Sequence, residues 1–176
     1  CLKDEISFRS HAKASFLQAK MAKSNVLYIH ITGVSSEILK NLVLAGISAV
    51  LCDDRPFPDA LLSTPSFFID REDRKKKAKR TVAEVVRTKV EELNPLLGDC
   101  PVVSMSELTD DFLKDFSIVV CSRMGSLKEA IRISNATVAN GGKFYMVDTF
   151  GFSGASVFDL GSNHTYRPEM GKKLLP

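Results

Sequence analysis

The chain has 176 residues, 44% of them hydrophobic and 26% charged, with a formal net charge of +3. That is the composition of one ordinary globular domain with its own core. No run of 18 apolar residues occurs and "CLKDEISFRSHAK" lacks the apolar stretch of a signal peptide, so a membrane span and a secretory leader are both excluded as readings of these residues. The chain opens on Cys1 without a Met and stops at "GKKLLP", so the expectation is a single domain over 1–176 taken from a longer protein.

Residues 7–22 read as a helix with Phe16, Leu17 and Met21 available for packing. Val26 to Ile31 is a nearly continuous apolar strand, the kind buried on both faces of a parallel sheet. Ser35 or Ser36 caps the next helix, whose Ile38, Leu39, Leu42 and Val43 fall at helical spacing, and Gly46 closes it. Ala49 to Cys52 is a second strand, ending at Asp53-Asp54. "RPFPDALLSTPS" is a proline-punctuated loop, followed by a long helix from Arg74 to Leu93 that Asn94-Pro95 stops.

Val102–Met105 and Ile118–Cys121 are further short strands, with the acidic helix "SELTDDFLKDF" between them. Gly125 to Asn140 is helical and ends at Gly141-Gly142. "KFYMVDTF" is a strand, and "SVFDLG" with "HTY" suggests a closing antiparallel pair. Strands alternating with helices predict an α/β domain with a Rossmann-like, mainly parallel sheet covered by helices on both faces.

Charge is uneven. Residues 71–80, "REDRKKKAKR", carry a local +5, which leaves −2 for the rest. A globally basic nucleic-acid binder is therefore not expected; the run reads as a solvated helix turn ahead of a phosphate-facing patch or nuclear signal. The four cysteines are scattered without a CxxC pair, which suits reduced packing residues and an intracellular address, cytoplasmic or nuclear. The sequons at Asn135 and Asn163 are then chance matches.

The turn His30-Ile31-Thr32-Gly33-Val34-Ser35 stands where a dinucleotide or ATP site carries three glycines. Those glycines make the bend, let backbone N–H groups approach phosphate, and let strand and helix pack closely. Only Gly33 remains. Asp54, 21 residues after Gly33, is placed to accept hydrogen bonds from a ribose. The residues alone leave two readings open: a Rossmann-like domain with an altered ligand, or one that has lost its ligand.

"SSEILKNLVLAGISAVLCDD" resembles the first nucleotide-binding unit of the ubiquitin-like-protein activating enzymes, which combine an active and an inactive half of one ThiF-type adenylation fold. "KAKRTVAEVVRTKVEELNP" resembles their long helix, and "VVCSRMGSLKEAIRISNATVANGGKFYMVDTFGFSGASVFDLGSNHTY" the remainder, so the resemblance runs over roughly residues 8–166. The family's phosphate-holding asparagine-arginine-glutamine stretch corresponds to Thr64-Pro65-Ser66, without an arginine. Its lysine before the long helix corresponds to Lys77. Its magnesium-binding aspartate corresponds to Arg123, and Mg²⁺ needs anionic oxygens that a guanidinium does not supply.

The resemblance thus implies an inactive half. The Cys-Ser-Arg after the fourth strand points towards the smaller subunit of the SUMO-activating enzymes. The closing strands also fit the N-terminal half of a ubiquitin-activating enzyme, and the degenerate turn a NEDD-type regulatory subunit. It further implies an active catalytic partner that holds ATP and magnesium, a ubiquitin-like modifier reached through the complex, no cofactor on this chain, and no membrane partner. Arg9, in Ser7-Phe8-Arg9, is the position from which such a half lends an arginine to its partner's ATP; read without the resemblance it is a surface arginine. No cysteine stands where a catalytic nucleophile is expected. A self-sufficient adenylyltransferase or an NAD-dependent dehydrogenase would need an acid at position 123 or an intact glycine turn.

Overall fold

A computed structural model describes residues 18–57, 66–69 and 80–165. Five strands form one sheet in the order β2-β1-β5-β6-β7. They are β1 (Asn25–Ile29), β2 (Ser48–Cys52), β5 (Ile118–Cys121), β6 (Lys143–Phe150) and β7 (Ser153–Asp159). All neighbours are parallel except β6 and β7, which pair antiparallel from Phe144 opposite Asp159 to Phe150 opposite Ser153. The expected α/β class, mainly parallel sheet and antiparallel C-terminal strands are all present.

The alternation along β1 divides the core. Val26 and Tyr28 face one side, packing with Leu39 and Val43 of α1 (Gly33–Leu44) and with Val82, Val86 and Val90 of α2 (Val82–Leu93). Leu27 and Ile29 face the other, against Leu113 of α3 (Asp110–Leu113) and Ala130 and Ile133 of α4 (Leu127–Ala139). A strand between two helical layers can carry no polar face, which is why β1 reads as an unbroken apolar run. Full burial of each such side chain is worth about 1.5–3 kcal/mol.

Several sequence boundaries shift, each for a local reason. β1 stops at Ile29 because His30 turns the chain at φ +58°. Thr32, not Ser35 or Ser36, caps α1; Ser35 is the reciprocal member of its capping box. Gly46 does occupy the left-handed position after that helix, at φ +85°. The long helix starts at Val82 rather than Arg74, because Thr81 and Glu84 form a capping box and Arg80–Thr81 (β4) pairs with Pro56–Phe57 (β3). That pairing also places a short strand in the proline-rich loop.

Val102 makes only a single parallel bridge to Leu51, and Ser104 then caps a 3-10 turn over Met105–Glu107, so 102–105 is not a full strand. The acidic segment becomes that turn plus the four-residue α3, because Thr109 starts a fresh cap. The closing antiparallel pair is β6 with β7, not "SVFDLG" with "HTY". Residues 18–22 are helical as expected; the remainder of the N-terminal helix lies outside the described residues. At the end of α4, Gly141 has φ +82° and Gly142 is packed so closely that a Cβ there would stand 2.8 Å from the Phe116 carbonyl.

Candidate functional site: the β1–α1 turn and the strand exits

β2 and β5 flank β1 on opposite sides, so the sheet's order reverses between β1 and β5. Ligands of open α/β sheets bind in the crevice outside the strand ends at such a reversal. His30 and Ser122 are the residues that leave β1 and β5 there. The His30 ring crosses the gap, its Nδ1 3.0 Å from the Ser122 carbonyl. A carbonyl only accepts, so Nδ1 carries the proton in this contact. The backbone N–H of His30 donates to the Cys52 carbonyl at 2.9 Å, which ties the same residue to β2.

Four backbone donors of the turn are engaged within the chain. Ile31 N–H donates to Asp53 Oδ2 at 2.7 Å, Thr32 N–H to Ser35 Oγ at 2.8 Å, Ser35 N–H to Thr32 Oγ1 at 3.5 Å, and Ser36 N–H to the Thr32 carbonyl at 2.9 Å. Ser35 Oγ in turn lies 3.2 Å from the His30 carbonyl, with geometry for donating to it. Gly33 is the first residue of α1, immediately after the Thr32 cap.

Asp53, fully buried, is the acid that reaches this turn. Arg55 Nε and Nη2 donate to its two oxygens at 2.8 and 2.6 Å, and Nη2 also donates to the Ile31 carbonyl at 3.0 Å. The carboxylate beside it raises the Arg55 pKa above its ordinary value. Two β2-exit residues thus clamp the turn from below. Asp54 instead accepts from Ser104 Oγ at 3.2 Å and from Met105 N–H at 2.7 Å, holding the 3-10 turn. The spacing argument singled out Asp54 and missed Asp53; the signal for the latter was the buried strand end followed by Arg55. Arg9, Lys77 and Thr64-Pro65 lie outside the described residues.

Past β5, Arg123 is exposed and left-handed at φ +50°. Its guanidinium makes no hydrogen bond or ion pair with a described residue. Ser122 beside it is buried, and its Oγ has no partner among the described residues. Arg123 lines a hollow of about 210 Å³ with Met124, Met146, Asp148, Phe150 and Val157. Cys52, Cys100 and Cys121 are buried packing residues. Burial pushes the Cys52 and Cys100 thiols up to about 12 and raises that of Cys121 as well, the reverse of what a nucleophile needs. Among the described residues no three His, Cys, Asp or Glu side chains gather to hold a metal, and no helix is long and apolar enough to cross a membrane.

The sheet is Rossmann-like and closed by an antiparallel hairpin, with a turn poor in glycine at its switch point. A solved structure titled E. coli MccB + Succinimide shares this fold, with a TM-score of 0.63 at 13% identity over 83% of this chain and 44% of that one. No family model matches. The SUMO-activating enzyme subunit 1 of Dictyostelium discoideum is 33% identical over 149 residues, covering 81% of this chain and 42% of that protein. The ubiquitin-activating enzyme E1 1 of Candida albicans is 32% identical over 157 residues, covering 89% of this chain and 14% of that protein. The chain belongs to the adenylation-domain family of the ubiquitin-like-protein activating enzymes. It spans less than half the length of these relatives.

Proposed function

We propose that this chain is the noncatalytic adenylation-fold half of an ATP-dependent activating enzyme for SUMO or a related modifier. Its role is to support a separate active half, which holds ATP and magnesium, adenylates the modifier's C-terminal glycine and passes it to a cysteine. The observation that carries this reading is the β1–α1 turn, whose N–H groups at Ile31, Thr32, Ser35 and Ser36 already have protein acceptors. A triphosphate would have to displace the Asp53 carboxylate and the Thr32–Ser35 box, and it would meet the His30 ring at the crevice. These residues do not fit ATP. Arg123, at the position the resemblance assigns to a metal-binding aspartate, adds a cation where Mg²⁺ would require oxygens.

The similarity to a SUMO-type subunit favours SUMO as the modifier, and the comparable identity to a ubiquitin-type enzyme supports the N-terminal half of such an enzyme as the second reading. Within the first, Arg9 reaches the partner's ATP, and the complex works in the cytoplasm or nucleus. The test is ATP–pyrophosphate exchange by the full-length protein with and without the catalytic subunit of the SUMO-activating enzyme from its own source. SUMO-dependent exchange is expected only with both chains present. Exchange by this chain alone, or with ubiquitin in place of SUMO, would overturn the SUMO-subunit reading.

A further inference from the structure

The turn from α4 into β6 runs Asn140-Gly141-Gly142, and Asn140-Gly141 is the one asparagine-glycine pair in the sequence. Both residues are exposed, and Gly141 is left-handed at φ +82°. An asparagine followed by glycine is chemically labile, because no Cβ shields the next backbone nitrogen from the side-chain amide carbon. Once that nitrogen gives up its proton to solvent it attacks Cγ, the Cγ–Nδ2 bond breaks, and ammonia leaves. A cyclic imide remains, and water opens it. Opening at the side-chain carbonyl gives aspartate; opening at the main-chain carbonyl gives isoaspartate, whose backbone runs through the former side chain. Water is the sole co-reactant.

The last turn of α4 restrains the pair. Asn140 Nδ2 donates to the Ala136 carbonyl at 2.9 Å, and the Gly141 N–H donates to the Val138 carbonyl at 2.9 Å. Both bonds have to open before the Gly141 nitrogen reaches Cγ. They belong to an exposed helix end, where local opening costs least. Asn135 is also exposed, but it sits inside α4 and is followed by Ala136, so it has neither the bare neighbour nor the fraying end. Asn163 is exposed in a turn and is followed by His164, so it has the accessibility without the glycine.

The product does not suit the junction it forms in. A carboxylate has no proton to donate to the Ala136 carbonyl. Its charge stands at the negative end of α4, whose last turn carries no basic residue to offset it. Isoaspartate also adds a methylene to the main chain just before the Gly141–Gly142 link. Gly142 is already packed against the carbonyls of Phe116 and Thr137 and has no room to shift.

We infer that Asn140-Gly141 is a self-modification site, at which the Asn140 amide converts through a cyclic imide to aspartate or isoaspartate and loosens the α4–β6 junction. It holds whether or not the proposed function does.

The test incubates the full-length protein at pH 6 and pH 8. Digests are then mapped by mass spectrometry with fragmentation that separates aspartate from isoaspartate. Asn140 is expected to convert faster at pH 8 than at pH 6, and at least tenfold faster than Asn135 or Asn163. The same protein unfolded in guanidinium chloride is expected to convert faster still at Asn140. An intact Asn140 in the folded chain, under conditions that convert it in the unfolded chain, overturns the inference. Conversion at Asn163 as fast as at Asn140 overturns it too, since glycine would not then select the site. Hydrogen exchange compares aged with fresh protein and is expected to show lost protection over residues 136–142. Asn140→Asp, which brings the charge without the longer backbone, is expected to show a smaller loss. Unchanged exchange in fully converted protein overturns the loosening.

Discussion

His30 and Ser122 are joined across the exits of two neighbouring parallel strands, the imidazole Nδ1 lying 3.0 Å from the carbonyl. His30 holds φ +58°, a conformation glycine adopts without cost and other residues adopt at about 1–2 kcal/mol. The chain therefore makes this bend without a glycine, and the ring bond offsets part of the strain. His30→Ala keeps the strained backbone and loses the bond, so it is expected to destabilise by about 1–2 kcal/mol. His30→Gly loses the bond but relieves the strain and is expected near wild type. Urea unfolding of the two variants checks that order; equal losses would mean the ring bond stabilises nothing.

Asp53 and Arg55 make the clamp beneath the same turn. Asp53 is fully buried, whereas the Arg55 side chain is 22% exposed, so solvent reduces the pair's strength on the arginine side. Arg55→Ala leaves a buried carboxylate with only backbone donors and is expected to lose about 3 kcal/mol, at the low end for a broken buried pair. Denaturant midpoints measure this. A loss within 0.5 kcal/mol, in the range of ordinary surface substitutions, would show that Asp53 is satisfied without the guanidinium.

The buried thiols give a pH dependence with a definite sign. Cys52 and Cys100 move from an ordinary 9.0 to about 12 in the folded chain. Between those values the unfolded chain has lost the thiol protons and the folded chain has kept them, so stability falls as pH rises from about 9 to 12. Below pH 9 these two groups contribute no slope. Replacing both with alanine is expected to flatten the decline, read from unfolding at pH 7, 9 and 10.5. At pH 8 all three buried cysteines are expected to resist alkylation until the chain unfolds.

Gly142 tests packing rather than charge. A Cβ there would meet the Phe116 carbonyl at 2.8 Å and the Thr137 carbonyl at 3.0 Å, both backbone atoms that cannot swing aside. Gly142→Ala is expected to cost about 1–3 kcal/mol. At Gly98 nothing stands within 4 Å, and alanine there meets only the strain of φ +74°. Thermal unfolding of the two variants separates the contributions of overlap and backbone strain.

The buried strands were legible because burial on both faces leaves no polar position, so β1, β2 and β5 announce themselves as short apolar runs. The helix starts were less legible. Thr81 with Glu84 is a plain capping box, yet the basic run before it reads as further helix, and the β3–β4 pairing that turns the chain there is a contact distant in sequence. At the site, the lost glycines were visible as letters, but not the left-handed backbones of His30 and Arg123. Spacing favoured Asp54, while Asp53 follows Cys52 at the buried end of β2 and is the acid that reaches the turn.

The central claim is that the β1–α1 turn, with the N–H groups of Ile31, Thr32 and Ser35 engaged by Asp53, Ser35 and Thr32, does not receive a nucleotide. Isothermal titration of the full-length chain with Mg-ATP, in the absence of any partner, tests it most directly. The expected result is no measurable binding. Saturable binding at micromolar affinity would contradict the account.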